Sequence, residues 1–145
     1  MPEVNATSGA AMLVVTRLLN ATNAHDLAEL SACFAADYVN ETPAHPLRGF
    51  TGREQVHANW QQLFAGIPDL QATIVDSAVS GDVVWSEWRM TGTRRDGSVH
   101  EMAGIIVFTI RDAEIAHAKF YLEPIERHSG TVDDNIRRAA TQATT

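Results

Sequence analysis

Apolar side chains in the first part of the chain recur at helical spacing. Met12, Val15, Leu18 and Leu19 share one side of a helix expected over residues 9–23. Leu27, Leu30 and Phe34 do the same for a second helix over residues 26–35, with Asp26 as its N-cap. Residues 37–42 read as extended, and Pro43-Ala-His-Pro46 forbids helix and predicts a loop. Thr51-Gly-Arg-Glu54 has the form of a capping box, opening a third helix that carries Val56, Trp60, Leu63 and Phe64 and stops at Gly66 and Pro68.

Beyond Pro68 the period changes to two. Residues 70–80, 83–93, 99–110 and 114–123 are β-rich runs. They are parted by Ser80-Gly-Asp82, Arg94-Arg-Asp-Gly97 and Arg111-Asp-Ala113, separators as short as antiparallel hairpins require. Strands of this length twist and curl. Helices followed by an antiparallel meander predict an α+β fold with the helices on one face of the sheet. The chain divides into an expected flexible arm (1–8), a single domain (9–128) and a polar tail (129–145) that either forms a short helix or stays disordered.

Composition narrows the classes. The 145 residues suffice for one core, and 45% apolar with 20% charged residues excludes a disordered or fibrous chain. Eighteen acids against eleven bases leave a net charge of −7, so neither nucleic acid nor a membrane surface is an expected partner. The one cysteine, Cys33, has no disulfide partner and reads as a buried, inert thiol. No leader segment or long apolar run appears, which makes a cytoplasmic protein the expectation. The six histidines lack metal-ligand spacing and no glycine-rich phosphate loop exists, so no metal and no cofactor are expected.

Several local motifs add a resemblance. They are Asn23-Ala-His-Asp26-Leu27, Phe34-Ala-Ala-Asp37, the Gly49/Gly52 turn before the Trp60-bearing segment, Ile67-Pro-Asp69-Leu70, Met90-Thr-Gly92-Thr93, and the run from Ile115 to Glu123. Together they resemble the SnoaL-like (polyketide cyclase-like) branch of the nuclear transport factor 2-like superfamily, over residues 10–126. The resemblance implies a cone-shaped, cystatin-like α+β barrel: a curled antiparallel sheet wrapped around three N-terminal helices and one deep apolar pocket. Members of this superfamily include polyketide cyclases, ketosteroid isomerases, limonene-type epoxide hydrolases, dehydratases and non-catalytic binders. Fold alone therefore does not fix function.

Position by position, the resemblance excludes some chemistries. The tyrosine, base and protonated acid of ketosteroid isomerases fall on Leu18, Thr42 and the acid-free stretch 103–106. The Arg-x-Asp pair of epoxide hydrolases falls on Trp88 and Met90, which implies that these two face the pocket and Trp85, Glu87 and Arg89 the other side. The cyclase acid falls on Glu123, while its partner histidine falls near residues 108–109, where none stands; His100 lies well before that point.

The expectation is a metal-free enzyme moving a proton on a small, largely apolar organic ligand, itself uncharged or weakly polar. Glu123 is its expected acid/base and Tyr121 its hydrogen-bonding aid. The plain alternative is a rim glutamate paired with Lys119 or Arg127, and a structural tyrosine. Tyr38, Asn40, Thr42, Trp60, Phe64, Trp88 and Met90 are the expected binding residues; ordinary packing is the alternative for the large apolar ones. Glu41 is a reserve acid, and His45 a loop residue that could line the pocket mouth. A non-catalytic binding module of the same fold is the second reading. A homodimer through the outer sheet face, around Trp85, is expected.

Overall fold

The first helix, α1 (Ala6–Ala24), turns Ala11, Val14, Val15, Leu18 and Ala21 into the core. Thr22 is buried beside them and satisfies its hydroxyl on the Leu18 carbonyl at 2.8 Å. The computed structural model describes residues 6–128 and 130–141. The first five residues of the expected arm lie outside the described residues, and Ala6 already belongs to α1.

Asp26 caps α2 (Leu27–Ala32), accepting the Glu29 N–H at 3.0 Å. This helix ends sooner than its sequence period suggests, because β1 (Phe34–Glu41) starts at Phe34. Phe34 fits either period, and strand pairing decides between them. Phe34 aligns with Ile115 of the last strand, whose N–H donates to the Cys33 carbonyl at 2.8 Å.

The expected capping box does not form. Thr51 is taken up by a short strand, β2 (Phe50–Thr51), opposite Val39 of β1, and the Gly52 N–H donates to the Tyr38 carbonyl at 2.7 Å. Gly52 then stands at the N-cap of α3 (Arg53–Gly66) with a φ of 97°, a conformation that disfavours a side chain.

The remaining strands, β3 (Gln71–Ser80), β4 (Val83–Thr93), β5 (Val99–Arg111) and β6 (Glu114–Pro124), form the expected meander. The sheet order is β2-β1-β6-β5-β4-β3, with β1 parallel to β6 and every other pair antiparallel. The mixed α+β architecture is the expected one, with helices on the concave face. Register fixes which side chains meet there. Met90 lies opposite Met102, Gly92 opposite His100, and Trp88 opposite Gly104, which in turn faces Leu122. A Cβ at Gly104 would stand 2.1 Å from the Tyr121 carbonyl oxygen, so glycine is what lets β5 and β6 approach there.

Trp88, Tyr38, Phe108, Leu30, Leu70, Ile106 and Ile115 fill the core, each contributing on the order of 1.5–3 kcal/mol by leaving water. The tail resolves to its helical alternative, α4 (Val132–Thr141), whose side chains are all exposed. Among the described residues no helix is long and apolar enough to cross a membrane.

Candidate functional site

Between the concave sheet face and α3 lies a cavity of about 290 Å³. Alternation on the strands selects its walls. Tyr38 and Asn40 of β1 point in, and Thr42 continues their row; Met90, His100, Met102, Phe120 and Leu122 come from β4, β5 and β6. Val56, Asn59, Trp60 and Leu63 of α3 close the opposite side, with Phe34, Phe50 and Leu70 between. Arg48, on the 3-10 turn Pro46–Arg48, lines it from the solvent side.

The polar groups of this cavity are biased toward donation. The Tyr38 hydroxyl donates to Asn40 Oδ1 at 2.7 Å, and desolvation pushes the phenol well above its ordinary range, so it keeps its proton. Asn40 is left with its Nδ2 hydrogens. No buried polar side-chain atom among the described residues lacks a partner, so this unpaired amide nitrogen is an accessible one, and the cavity is what it lines.

His100 is oriented by the same logic. Arg94 holds Val99 O at 2.7 Å and Ser98 Oγ at 3.3 Å through Nη1, and its Nη2 reaches His100 Nδ1 at 3.4 Å. A guanidinium only donates, so Nδ1 accepts and the neutral ring carries its hydrogen on Nε2. Burial, helped by the Arg94 charge, holds this imidazole below its ordinary value and keeps it neutral. The Thr42 hydroxyl and the Asn59 amide complete the polar set. Among the described residues no carboxylate lines the cavity.

A SnoaL-like domain profile matches residues 15–118, which is most of the chain. The chain belongs to the SnoaL-like family. A structure from Jannaschia sp. CCS1, assigned to the SnoaL-like polyketide cyclases, superposes on this domain with a TM-score of 0.72 at 17% identity, covering 99% of this chain and 100% of that one. The Mycobacterium tuberculosis protein RV0760c, solved with estradiol-17beta-hemisuccinate, gives 0.68 at 20% identity over 77% of this chain and 92% of its own. A ketosteroid isomerase-like protein from Catenulispora acidiphila DSM 44928, solved with trimethylamine, gives 0.65 at 24% identity over 74% and 84%. At such identities the likeness is one of fold, that of the nuclear transport factor 2-like superfamily. No curated protein matches the sequence.

Within this SnoaL-like domain Tyr38, Asn40, Thr42, Trp60 and Met90, all expected binding residues, line the cavity wall. Four other residues do not. Phe120 and Leu122 are the β6 side chains that face the cavity, so alternation turns Tyr121 and Glu123 to the outer face and the rim. Tyr121 is 42% exposed and shares an outer groove with Trp85 and Ile105. Glu123 is half-buried, 2.8 Å from Nε2 of His45. Trp88 faces inward as expected but sits behind the cavity wall, 1% exposed, its Nε1 donating to Ser86 Oγ at 2.8 Å and its ring set edge-on to Phe108. Phe64 stacks on His25 with ring centroids 4.3 Å apart, beside Trp60.

Glu41, the reserve acid, lies outside and pairs with His117 at 2.8 Å, a contact that lowers its carboxyl below the usual range. Cys33 is buried, and desolvation pushes its thiol up to about 11, which leaves it protonated and unreactive. Among the described residues no three His, Cys, Asp or Glu side chains gather as metal ligands would. Among the polar side chains of the cavity, His100, Arg48 and Asn59 are not among the residues that the sequence singles out. The signal for His100 is that it shares even parity with Met102 on a strand whose even positions face in; Arg48 has only its place beside the Gly49 turn.

Proposed function

We propose that this SnoaL-like domain takes a small, largely apolar organic carbonyl compound into its cavity and promotes proton transfer at the carbon beside the carbonyl. The observation that supports this reading is the donor bias of an otherwise apolar cavity. Asn40 Nδ2–H and His100 Nε2–H are open, while Asn40 Oδ1 and His100 Nδ1 are occupied. A carbonyl oxygen accepts from such donors, and it accepts more strongly as an enolate. Donors aimed at developing negative charge in a low-dielectric cavity therefore favour loss of the neighbouring C–H proton. With no carboxylate in the lining, water entering from the solvent side takes that proton. Tyr38 and Arg94 orient the donors, and Trp60, Met90, Met102 and Phe120 exclude bulk water around the ligand's skeleton.

The test is hydrogen–deuterium exchange at the α-carbon of a small cyclic ketone such as 2-tetralone, followed by NMR in D₂O. Exchange should exceed that of buffer alone and fall by about a hundredfold in Asn40→Ala or His100→Phe, the usual effect of removing one such donor. Saturable binding of the ketone with exchange no faster than buffer would discard the catalytic reading. The second reading, a binding protein using the same cavity, draws its support from the missing carboxylate.

The reading includes a homodimer through the outer sheet face. Trp85, 52% exposed, and Tyr121 stand there with Ile105 and Val107 between them, an apolar strip that a second copy would cover.

A further inference from the structure

Among the described residues Arg48 is the one fixed charge on the cavity wall. Its guanidinium makes no ion pair and no side-chain hydrogen bond among the described residues. By contrast Arg17, Arg53, Arg111, Arg127 and Arg137 each face a carboxylate. Arg89, Arg94, Arg95 and Arg138 likewise pair with no carboxylate among the described residues, and what sets Arg48 apart from them is its place on the cavity wall. None of the described acids lines the cavity. An apolar cavity in a negatively charged protein thus carries, among the described residues, a single positive group on its solvent side with no carboxylate facing it.

A lone guanidinium does not suit every anion. A phosphate dianion needs several bases to offset its desolvation, and His100 does not supply a second charge because it is held neutral. A single carboxylate matches the planar fork of one arginine in charge and in shape. The Thr42 hydroxyl, from the same connection between β1 and β2, lines the same cavity and adds a donor.

From this geometry we infer that the ligand is an amphipathic monocarboxylate, with its apolar skeleton among Trp60, Met90, Met102 and Phe120 and its carboxylate on Arg48. The inference rests on the reading of the cavity as a small-molecule site and narrows its substrate class from carbonyl compounds to those that also carry one acid group.

Two probes of the same shape test it, 2-naphthylacetate and 2-naphthylacetamide, titrated by calorimetry into the full chain and its Arg48→Gln and Arg48→Lys variants. In the unaltered protein the acetate should bind about fivefold more tightly than the amide at low salt, with the gap shrinking as salt is raised. Arg48→Gln should bring the acetate to the level of the amide and leave the amide unchanged, while Arg48→Lys should keep part of the preference. Equal affinity for the two probes in the unaltered protein would overturn the inference and leave the cavity reading standing. So would an Arg48→Gln variant that weakens both alike. Failure of both probes to bind would remove the cavity reading, and the inference with it.

Discussion

His45 Nε2 stands 2.8 Å from Glu123 Oε1, joining the loop after β1 to the end of β6. That loop carries Thr42 at one end and Arg48 at the other, and both line the cavity. The carboxylate expected to perform the chemistry is placed instead to fasten one wall of the site. Glu123→Gln should leave ketone binding and α-proton exchange within about threefold of the unaltered protein, since a carboxylate outside the cavity moves no proton within it. Glu123→Ala should speed amide hydrogen exchange over residues 42–49. A hundredfold fall in α-proton exchange for Glu123→Gln, with those amides still protected, would return Glu123 to the mechanism.

Trp88 and Trp60 should separate stability from binding. Trp88→Ala empties a fully buried site and strips Ser86 Oγ of a donor, so it should cost about 3–5 kcal/mol in denaturant unfolding. Trp60 is only partly buried and faces the cavity, so Trp60→Ala should cost far less stability and weaken apolar probes more. Equal losses of stability in the two variants would place both rings in one continuous core.

Tyr38→Phe deletes one hydroxyl and leaves Asn40 Oδ1 without its donor. The expected cost is about 1–3 kcal/mol, the penalty of a buried acceptor left unpaired. The freed amide can then turn its oxygen into the cavity, so the variant should also lose preference for ketones over the matching alcohols. Unchanged stability with unchanged preference would mean that Tyr38 does not orient Asn40.

The depressed pKa of His100 sets a pH dependence of stability. Its ordinary value is 6.5, and burial together with the Arg94 charge lowers it in the folded chain. The unfolded chain therefore takes up the proton first as pH falls. The stability contributed by neutral His100 is complete above about pH 6.5 and is lost as pH drops through the lower native value. Between about pH 7.5 and about pH 5, the Tm of the unaltered protein should fall faster than that of His100→Gln. Parallel Tm profiles would show that the imidazole is not held neutral.

The meander was legible because its turns are short and local, so each strand announces its own ends and its neighbour. The start of β1 was not, since Phe34-Ala-Ala continues a helical period and only pairing with Ile115, far along the chain, makes it a strand. The site divided along the same line. Tyr38, Asn40 and Thr42 follow from alternation along one strand, and Met90 from the resemblance to the epoxide-hydrolase pattern. Glu123 and Tyr121 were assigned to the wrong face because cross-strand register is invisible in one sequence, and a shift of one residue exchanges the faces. The observed register sets Trp88 against Gly104 and Gly104 against Leu122, so Leu122, not Glu123, is the residue that faces in. His100 is hidden for a related reason. The resemblance points to residues 108–109 for a histidine, whereas the place of His100 opposite Gly92 brings it to the cavity.

The parallel pairing of β1 with β6 also bears on when the site comes into being during synthesis. A nascent chain that has reached Arg111 already contains α1 to α3 and the hairpins of β3, β4 and β5, all closed by contacts near in sequence. Its β1 still has an open hydrogen-bonding edge, and the wall that Phe120 and Leu122 supply does not yet exist. Pairing across so long a loop carries a closure entropy that shorter contacts avoid, and it comes late. The cavity is therefore complete only once β6 has paired with β1. Until then the exposed edge of β1 is the part of the molecule most open to pairing with a wrong neighbour.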